Sequence, residues 1–168
     1  MSETSQTRGF TTSTDVGTLI VIAGLTAVLF AGGLALSEGA GELGVDIDWK
    51  PFFVVYAVIL FIPWGTPTIA AAVGGMLAEA LGDIFEGAAP DDPFGWVGYV
   101  VGFALFGYLV KDDTSDYTRM AVAAVAGGFV QIAIEGLWVF AIGLEEASTL
   151  AFFGITVTDP FPFYVITV

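Results

Sequence analysis

The chain has 168 residues, of which 56% are hydrophobic and only 13% are charged, and its mean hydropathy is +0.85. This composition excludes an ordinary soluble globular domain, in which about 25% of residues are charged, and predicts an all-α polytopic membrane protein folded as one compact bundle. The net charge of −14, from 18 acidic and 4 basic residues, argues against nucleic acid as a partner and is typical of a salt-adapted (halophilic) organism.

The residue types that the sequence lacks also restrict its chemistry. It contains no Cys and no His, which removes disulfides, imidazole bases and nearly all types of zinc site. Carboxylates are then the main acid or base groups, and the sequence has no paired-aspartate motif. We therefore expect that the protein is not an enzyme and holds neither a metal nor a cofactor.

The polar, Ser/Thr-rich residues 1–15 predict a disordered tail, and the hydrophobic runs that follow predict about six transmembrane helices. The first run is about 21 residues long, enough to cross a hydrocarbon core of about 30 Å. An acidic, Gly-rich stretch over 37–48 predicts an exposed loop, and Pro63 and Pro67 divide the next run into two tightly joined helices. The expected helix bounds are 16–36, 51–64, 67–83, 93–110, 117–144 and 160–168.

The last of these helices is predicted from a repeated start signal. Asp92 and Asp159 are each followed by Pro and Phe, and a similar stretch, 48–52, precedes the second helix. An acid suits the positive end of a helix and Pro fits the first helical turn. Only nine residues follow Asp159, too few to cross a bilayer. We expect either a half-span or a natural chain that continues beyond Val168, and we favour the second.

The few basic residues predict an orientation in the cell membrane. With a cytoplasmic N-terminus, Arg8, Lys111 and Arg119 lie inside and only Lys50 lies outside, which is the distribution that the positive-inside rule prefers. The same topology places three acidic connectors, 37–50, 84–92 and 145–159, on the outer face. Together they predict a negatively charged outer mouth.

Charged side chains within the predicted spans are the first candidates for function, because burying one in a membrane costs about 2.5–3.5 kcal/mol. Glu135 lies in the fifth span, with Gln131 four residues before it and Trp138 three residues after it, so the three share one helix face. In the third span, Glu79 and Asp83 are also four residues apart and near the outer end. The alternative is that these acids only mark the interfacial end of a salt-adapted helix.

Aromatic residues and small residues complete the candidate list. Trp96 and Tyr99, at the outer start of the fourth span, and Trp138 suit the walls of a site for a planar or cationic ligand, although such residues also anchor helices at the membrane interface. Small residues recur every four positions along the first span and allow another helix to approach closely. These residues are Ala23, Ala27, Ala31 and Ala35.

Three stretches of the sequence resemble the substrate-binding S components of energy-coupling factor (ECF) transporters. They are the first-span Ala repeat, the Gly/Ala-rich stretch 67–87 that ends in Gly-Asp and an acidic loop, and the stretch 92–96 with the glycines that follow it, Gly98, Gly102 and Gly107. The resemblance implies a bundle of six helices with a cytoplasmic N-terminus. It also implies that the Ala stripe docks on a transmembrane coupling subunit and that separate ATPase subunits power transport.

The sequence departs from this family in its apparently incomplete last helix. It contains no GxxxxGK[ST] motif, as expected if ATP is hydrolysed by other subunits. We expect a subunit that binds a vitamin-like small molecule for uptake, and the excess of carboxylates favours a cationic ligand such as thiamine or a precursor. Two alternatives stay open: a small ion-coupled carrier or channel that uses its intramembrane carboxylates, and an accessory structural membrane subunit.

Overall fold

The computed structural model describes residues 15–42, 51–87 and 92–142 together with 155–156 and 159–160. In these residues it has five helices and one short pair of strands. The helices are α1 (Val16–Glu42), α2 (Phe52–Phe61), α3 (Thr66–Glu86), α4 (Asp92–Val110) and α5 (Tyr117–Ile142), and the strands are β1 (Ile155–Thr156) and β2 (Asp159–Pro160), which pair antiparallel.

Four of these helices are long and apolar enough to cross a membrane. Their apolar segments are Val16–Leu36, Thr66–Phe85, Asp92–Val110 and Tyr117–Ile134. The apolar helix α2 has only 10 residues, or about 15 Å, and is half as long as a membrane span. The expected all-helical, multi-pass membrane architecture is therefore confirmed at this level.

Aspartates begin two of the long helices close to the expected positions. Asp15 Oδ2 accepts a hydrogen bond from the Thr18 backbone N–H at 3.2 Å, and Asp116 Oδ1 accepts from the Thr118 and Arg119 N–H groups at 2.9 and 3.0 Å. Such caps satisfy N–H groups that have no partner within the helix. The predicted starts at 16 and 117 are thus correct.

The first membrane span expected over 16–36 coincides with the apolar segment Val16–Leu36. The loop expected from residue 37 is wrong at its start, because α1 continues to Glu42. Glycine weakens a helix by only about 1 kcal/mol, and the neighbouring Ala, Leu and Glu residues are good helix formers, so Gly39 and Gly41 do not end it. The side chains from 37 to 42, and all of residues 43–50, lie outside the described part.

Pro63 and Gly65 separate α2 from α3, within the break that the sequence predicted between Pro63 and Pro67, and Pro67 itself lies in the first turn of α3. Helix α2 already ends at Phe61, because Ile62 is extended as expected of a residue before proline. Gly65 has φ 134° and ψ −140°, a conformation that only glycine adopts readily. The Thr68 hydroxyl donates to the Pro63 carbonyl at 3.1 Å and ties the start of α3 to this corner.

The four long helices pack in the order α1, α3, α4, α5, and α2 lies against α1, α3 and α4. Glycines allow the closest approaches: Gly74 meets the Ala23 carbonyl between α3 and α1, and Gly102 meets Gly127 between α4 and α5. A Cβ on Gly102 would lie 2.5 Å from the Gly127 carbonyl oxygen. Small residues at these crossings are the usual basis of close helix packing in membranes.

Aromatic rings fill the centre of the bundle. Phe30 from α1, Phe52 and Tyr56 from α2, and Phe103 and Phe106 from α4 are all buried. Tyr56 stacks on Phe106 with ring centroids 4.1 Å apart, and its hydroxyl donates to the Ala124 carbonyl of α5 at 3.3 Å. The half-length helix α2 thereby joins the helices on both sides of it.

The two ends of the bundle differ in chemistry. The end with the turns 62–65 and 111–116, here called the turn end, holds both described basic residues: Lys111 Nζ lies 3.7 Å from the centroid of the Tyr108 ring, and Arg119 pairs with Asp112 at 3.3 Å and donates to the Leu109 carbonyl. The opposite end, where α3 finishes and α4 starts, is called the site end.

The sixth helix is not among the described elements. Pro160 was expected to start it, but Asp159 and Pro160 form a strand that pairs with Ile155–Thr156. The fixed φ of proline suits extended backbone as well as a first helical turn, so Asp-Pro alone does not select the helix. Residues 161–168 lie outside the described part of the chain, as do residues 1–14 of the tail expected over 1–15; its last residue, Asp15, caps α1.

Candidate functional site

Helix α3 carries the two acidic candidates towards the site end. Glu79 and Asp83 are one turn apart, about 6 Å along the axis, and follow the buried Ala72 and Gly75 on the same face. This face packs closely, because a Cβ on Gly75 would lie 2.9 Å from the Phe103 ring and 3.0 Å from a Val55 methyl. The stripe that the sequence predicted therefore faces the interior of the bundle.

Glu79 is held by a tyrosine of the neighbouring helix. The Tyr99 hydroxyl of α4 donates to Glu79 Oε1 at 3.0 Å, and both residues are only 5% exposed. Hydrogen bonds to a carboxylate are among the stronger ones in proteins. A carboxylate offers about four acceptor positions, so the Tyr99 hydroxyl fixes the direction of the Glu79 carboxylate while occupying one of them.

Asp83 is held in the same way one turn closer to the site end. The Trp96 indole Nε1–H donates to Asp83 Oδ2 at 2.7 Å, and both side chains are half-buried. Together with the Tyr99–Glu79 bond, this gives two parallel links between α3 and α4. Four of the residues predicted from sequence are thus brought together as two donor–carboxylate pairs.

The α3–α4 register follows from the contacts below these pairs. Helices α3 and α4 are antiparallel, so Gly75 meets Phe103 and Thr68 meets Gly107 progressively further from the site end. A Cβ on Gly107 would lie 2.5 Å from the Thr68 side chain. The small residues fix the register of α3 against α4, and this register places each aromatic donor opposite a carboxylate.

Tyr99 also belongs to the aromatic core. Its ring centroid lies 5.4 Å from that of Phe52, 6.3 Å from Phe30 and 5.9 Å from Phe103. The Phe52 and Phe30 rings meet it edge to face, an arrangement that aromatic pairs prefer. The rings of α1, α2 and α4 therefore form the floor beneath the Tyr99–Glu79 pair. The sequence analysis missed Phe30, Phe52 and Phe103, because nothing in a uniformly apolar helix distinguishes a site floor from ordinary core.

Gln131 is placed on α5, at the adjacent face of α4. It is 5% exposed, and its backbone and Cβ pack against Gly98 and Gly102. Because an α-helix has about 3.6 residues per turn, Gly98 and Gly102 lie on the face of α4 that meets α5, whereas Trp96 and Phe103 lie on the face that meets α3. Gln131 thus lines the α4–α5 contact, next to the α3–α4 face that carries the carboxylate pairs.

For two further candidates on α5, the structure describes the helix that carries them but not their side chains. The positions of Glu135 and Trp138 lie within α5, as expected, but their side chains are outside the described part of the structure. The shared face proposed for Gln131, Glu135 and Trp138 stays a prediction.

The Ala stripe of α1 has an inner half, Ala23 and Ala27, that packs within the bundle, and an outer half, Ala31 and Ala35, that does not. The Ala23 carbonyl packs on Gly74 of α3, and Ala27 is partly buried against the core. Ala31 and Ala35 are exposed. The close neighbour expected at the inner half of the stripe is therefore α3 of the same chain.

The chemistry of the site is that of two carboxylates in a largely apolar setting. Electrostatic attraction strengthens as the local dielectric constant falls, so such a site favours a cation, an amine or a proton. In the described residues, His, Cys, Asp and Glu form no group of three that would hold a metal ion.

Comparisons with known proteins found no matching family model, no matching curated protein and no matching solved structure.

Proposed function

We propose that the chain is a membrane-embedded subunit that binds a small cationic or amine-bearing molecule for uptake, with Glu79 as its principal contact. The observation that carries this proposal is the burial of Glu79 within a membrane-spanning helix, 3.0 Å from the Tyr99 hydroxyl. Ionisable groups at such positions are costly and commonly mark a transport pathway or ligand site.

The proposed ligand contacts follow from the two carboxylate pairs. Glu79 and Asp83 supply negative charge one turn apart, and Trp96 and Tyr99 supply aromatic surface beside them. Gln131, Glu135 and Trp138 are proposed as further contacts from α5. Carboxylates with aromatic rings suit an organic cation, and a vitamin-like compound such as thiamine or a precursor has this chemistry.

The transporter context is part of the same proposal. We propose the six-helix architecture of an S component of ECF transporters, with the exposed Ala31 and Ala35 of α1 contacting a transmembrane coupling subunit and separate ATPases supplying energy. The proposed topology in the cell membrane has a cytoplasmic N-terminus. The positions of Lys111 and Arg119 at the turn end support a cytoplasmic turn end, which leaves the site end outside.

Thermal unfolding of the purified protein with added organic ions tests the ligand class. A ligand that binds only the folded state at about 100 times its Kd stabilises that state by about 2.7 kcal/mol. We expect thiamine or a related organic cation to raise the Tm, and organic anions of similar size to leave it unchanged. Glu79→Gln should remove the shift while keeping an acceptor for Tyr99.

Asp15→Asn is the matched control for this experiment. Asp15 is exposed at the start of α1, and Asn also caps helices well, so this variant loses one carboxylate without touching the site. It should keep the full shift. Stabilisation by anions, or an unchanged cation shift in Glu79→Gln, would refute the proposed contact.

The proposed partners are tested by isolating the protein from its native membrane. We expect ATPase subunits and a second membrane protein to co-purify, and Ala31→Trp to reduce their recovery because a large side chain blocks close helix approach. The same substitution at Gly82, on α3, where an added Cβ would meet no other helix within 4 Å, serves as the control. Recovery of a self-assembled oligomer without ATPases would contradict this part of the proposal.

An ion-coupled carrier is the second candidate, and the burial of the Glu79 carboxylate within a membrane-spanning helix favours it. Intramembrane carboxylates commonly serve as proton relays in pumps and transporters. In this case organic cations would leave the Tm unchanged, and vesicles containing the protein would transport protons in a manner that Glu79→Gln abolishes.

A further inference from the structure

Beyond binding, we infer that Tyr99 couples the state of Glu79 to the packing of α1 and α2. This inference rests on the proposed function, because it assumes that Glu79 receives the ligand. It assigns Tyr99 as a positioning residue that links the site to two other helices, in addition to its place beside the carboxylate.

The inference starts from the two different contacts of one side chain. The Tyr99 hydroxyl is bonded to Glu79 on α3 at 3.0 Å. Its ring meets Phe52 of α2 at 5.4 Å with an interplanar angle of 87°, and Phe30 of α1 at 6.3 Å with an angle of 72°. Phe30 and Phe52 also stack on each other at 6.4 Å. One side chain of α4 thereby contacts three other helices.

Close packing makes these contacts interdependent. Phe30, Phe52 and Tyr99 are 0%, 2% and 5% exposed, and protein interiors of this kind leave little free volume for a ring to shift alone. A cation bound at another acceptor position of Glu79 draws negative charge away from the Tyr99 hydrogen bond and weakens it. A weaker bond holds the ring less firmly, and a change in the tilt of the ring must displace the rings of α1 and α2.

The second carboxylate pair supplies an internal comparison. Trp96 bonds to Asp83 at 2.7 Å, one turn nearer the site end and only half-buried. Loss of the Trp96–Asp83 hydrogen bond removes the same kind of link between α3 and α4. The coupling therefore predicts that breaking the Tyr99 link affects α1, and that breaking the Trp96 link does not.

Single-cysteine labelling measures this effect without a ligand, because the 168 residues contain no Cys. Ala27→Cys places a thiol on α1 at a partly buried position against the core, and Met120→Cys does the same on α5 near the turn end. The labelling rate of each is measured in the full-length protein in lipid vesicles. The backgrounds are wild type, Tyr99→Phe, Glu79→Gln, Glu79→Leu, the Tyr99→Phe/Glu79→Leu double variant and Trp96→Phe.

We expect Tyr99→Phe and Glu79→Leu each to raise the labelling rate at position 27 by about threefold, the factor that corresponds to an average interhelical hydrogen bond in a membrane. Glu79→Gln should label at the wild-type rate, because the amide oxygen of Gln accepts the same hydrogen bond from Tyr99. The double variant should label no faster than either single variant, and position 120 should not change.

Three results would overturn the coupling: an unchanged rate at position 27 in Tyr99→Phe, an equal rise in Trp96→Phe, or an equal rise at position 120. The last of these indicates general loosening of the bundle. None of these outcomes depends on which ligand binds, so failure of the coupling is distinguishable from failure of the proposed function, which the Tm shift measures.

Discussion

At the scale of single residues, the candidate site consists of two donor–carboxylate pairs, Tyr99 with Glu79 and Trp96 with Asp83. Each of these four residues is a candidate from the sequence by its depth or its chemistry. The pairing could not be predicted, because it depends on the register of α3 against α4. That register is set by contacts of Gly75 and Gly107, and small residues give no partner-specific signal in a sequence.

The turn end contains a carboxylate whose titration provides a residue-scale prediction. Asp113 Oδ1 accepts hydrogen bonds from the Ser115 hydroxyl at 2.7 Å and from the Ser115 N–H at 2.8 Å. These bonds, the hydroxyl first, lower the pKa of Asp113 below its ordinary value of 3.8. Ser115→Ala should move the pKa back towards 3.8, as measured by carboxyl NMR, whereas Ser115→Thr should keep it low.

The sign of the pH dependence follows from this direction. Because the pKa of Asp113 is lower in the folded protein, its contribution to stability is fully present above the ordinary value and is lost as the pH falls through the lowered one. Ser115→Ala should therefore make unfolding less sensitive to acid in that range. An identical pKa in the Ala and Thr variants would contradict the assignment of the hydroxyl as the main cause.

At the scale of helices, starts were predicted better than ends. Asp15 and Asp116 cap α1 and α5 with their own side chains, which is a local signal that a sequence displays. The glycines within 37–42 predict a loop, but α1 continues through them to Glu42. Ends depend on the balance of many small propensities, and no single residue decides them.

The α4–α5 contact provides a helix-scale prediction. A Cβ added at Gly102 would lie 2.5 Å from the Gly127 carbonyl oxygen, so Gly102→Ala forces the two backbones apart. Overpacking of this kind costs about 1–3 kcal/mol, which reversible unfolding in mixed detergent micelles would measure.

Gly82→Ala is the matched control for this substitution. It lies in α3, and apart from its chain neighbours and the adjoining backbone of its own helix no atom lies within 4 Å of its added Cβ; alanine also favours a helix by about 1 kcal/mol over glycine. It should leave stability unchanged or raise it. Equal losses of stability in the two variants would contradict the claim that close packing at Gly102 causes the loss.

At the scale of the whole molecule, the sequence predicted both the class of the protein and a second helix, over 51–64, that is much shorter than the first span. Four described helices are long enough to span a membrane, and α2, with 10 residues, is not. Phe52, at the start of α2, contacts Tyr99 and Phe103, and Tyr56 contacts Phe103 and Phe106. The aromatic floor beneath Glu79 depends on these rings of the short helix, and a uniformly apolar sequence does not show which rings will meet.

The proposed topology is a prediction about the whole molecule. Ser115→Cys places a thiol at the exposed turn end, and Asp92→Cys places one at the site end, where α4 begins. In intact cells, a membrane-impermeant maleimide should label position 92 and not position 115. Both should react once the cells are permeabilised. The opposite pattern would reverse the orientation and contradict the positive-inside argument based on Lys111 and Arg119.

The central claim is that the Glu79 carboxylate holds a cationic small molecule, and mass spectrometry of molecules released by denaturing the purified protein tests it most directly. Wild type and Asp15→Asn should release the same amine-bearing compound in amounts comparable to the protein, and Glu79→Gln should release little or none. Equal release from Glu79→Gln, or release of an anionic compound instead, would contradict the account.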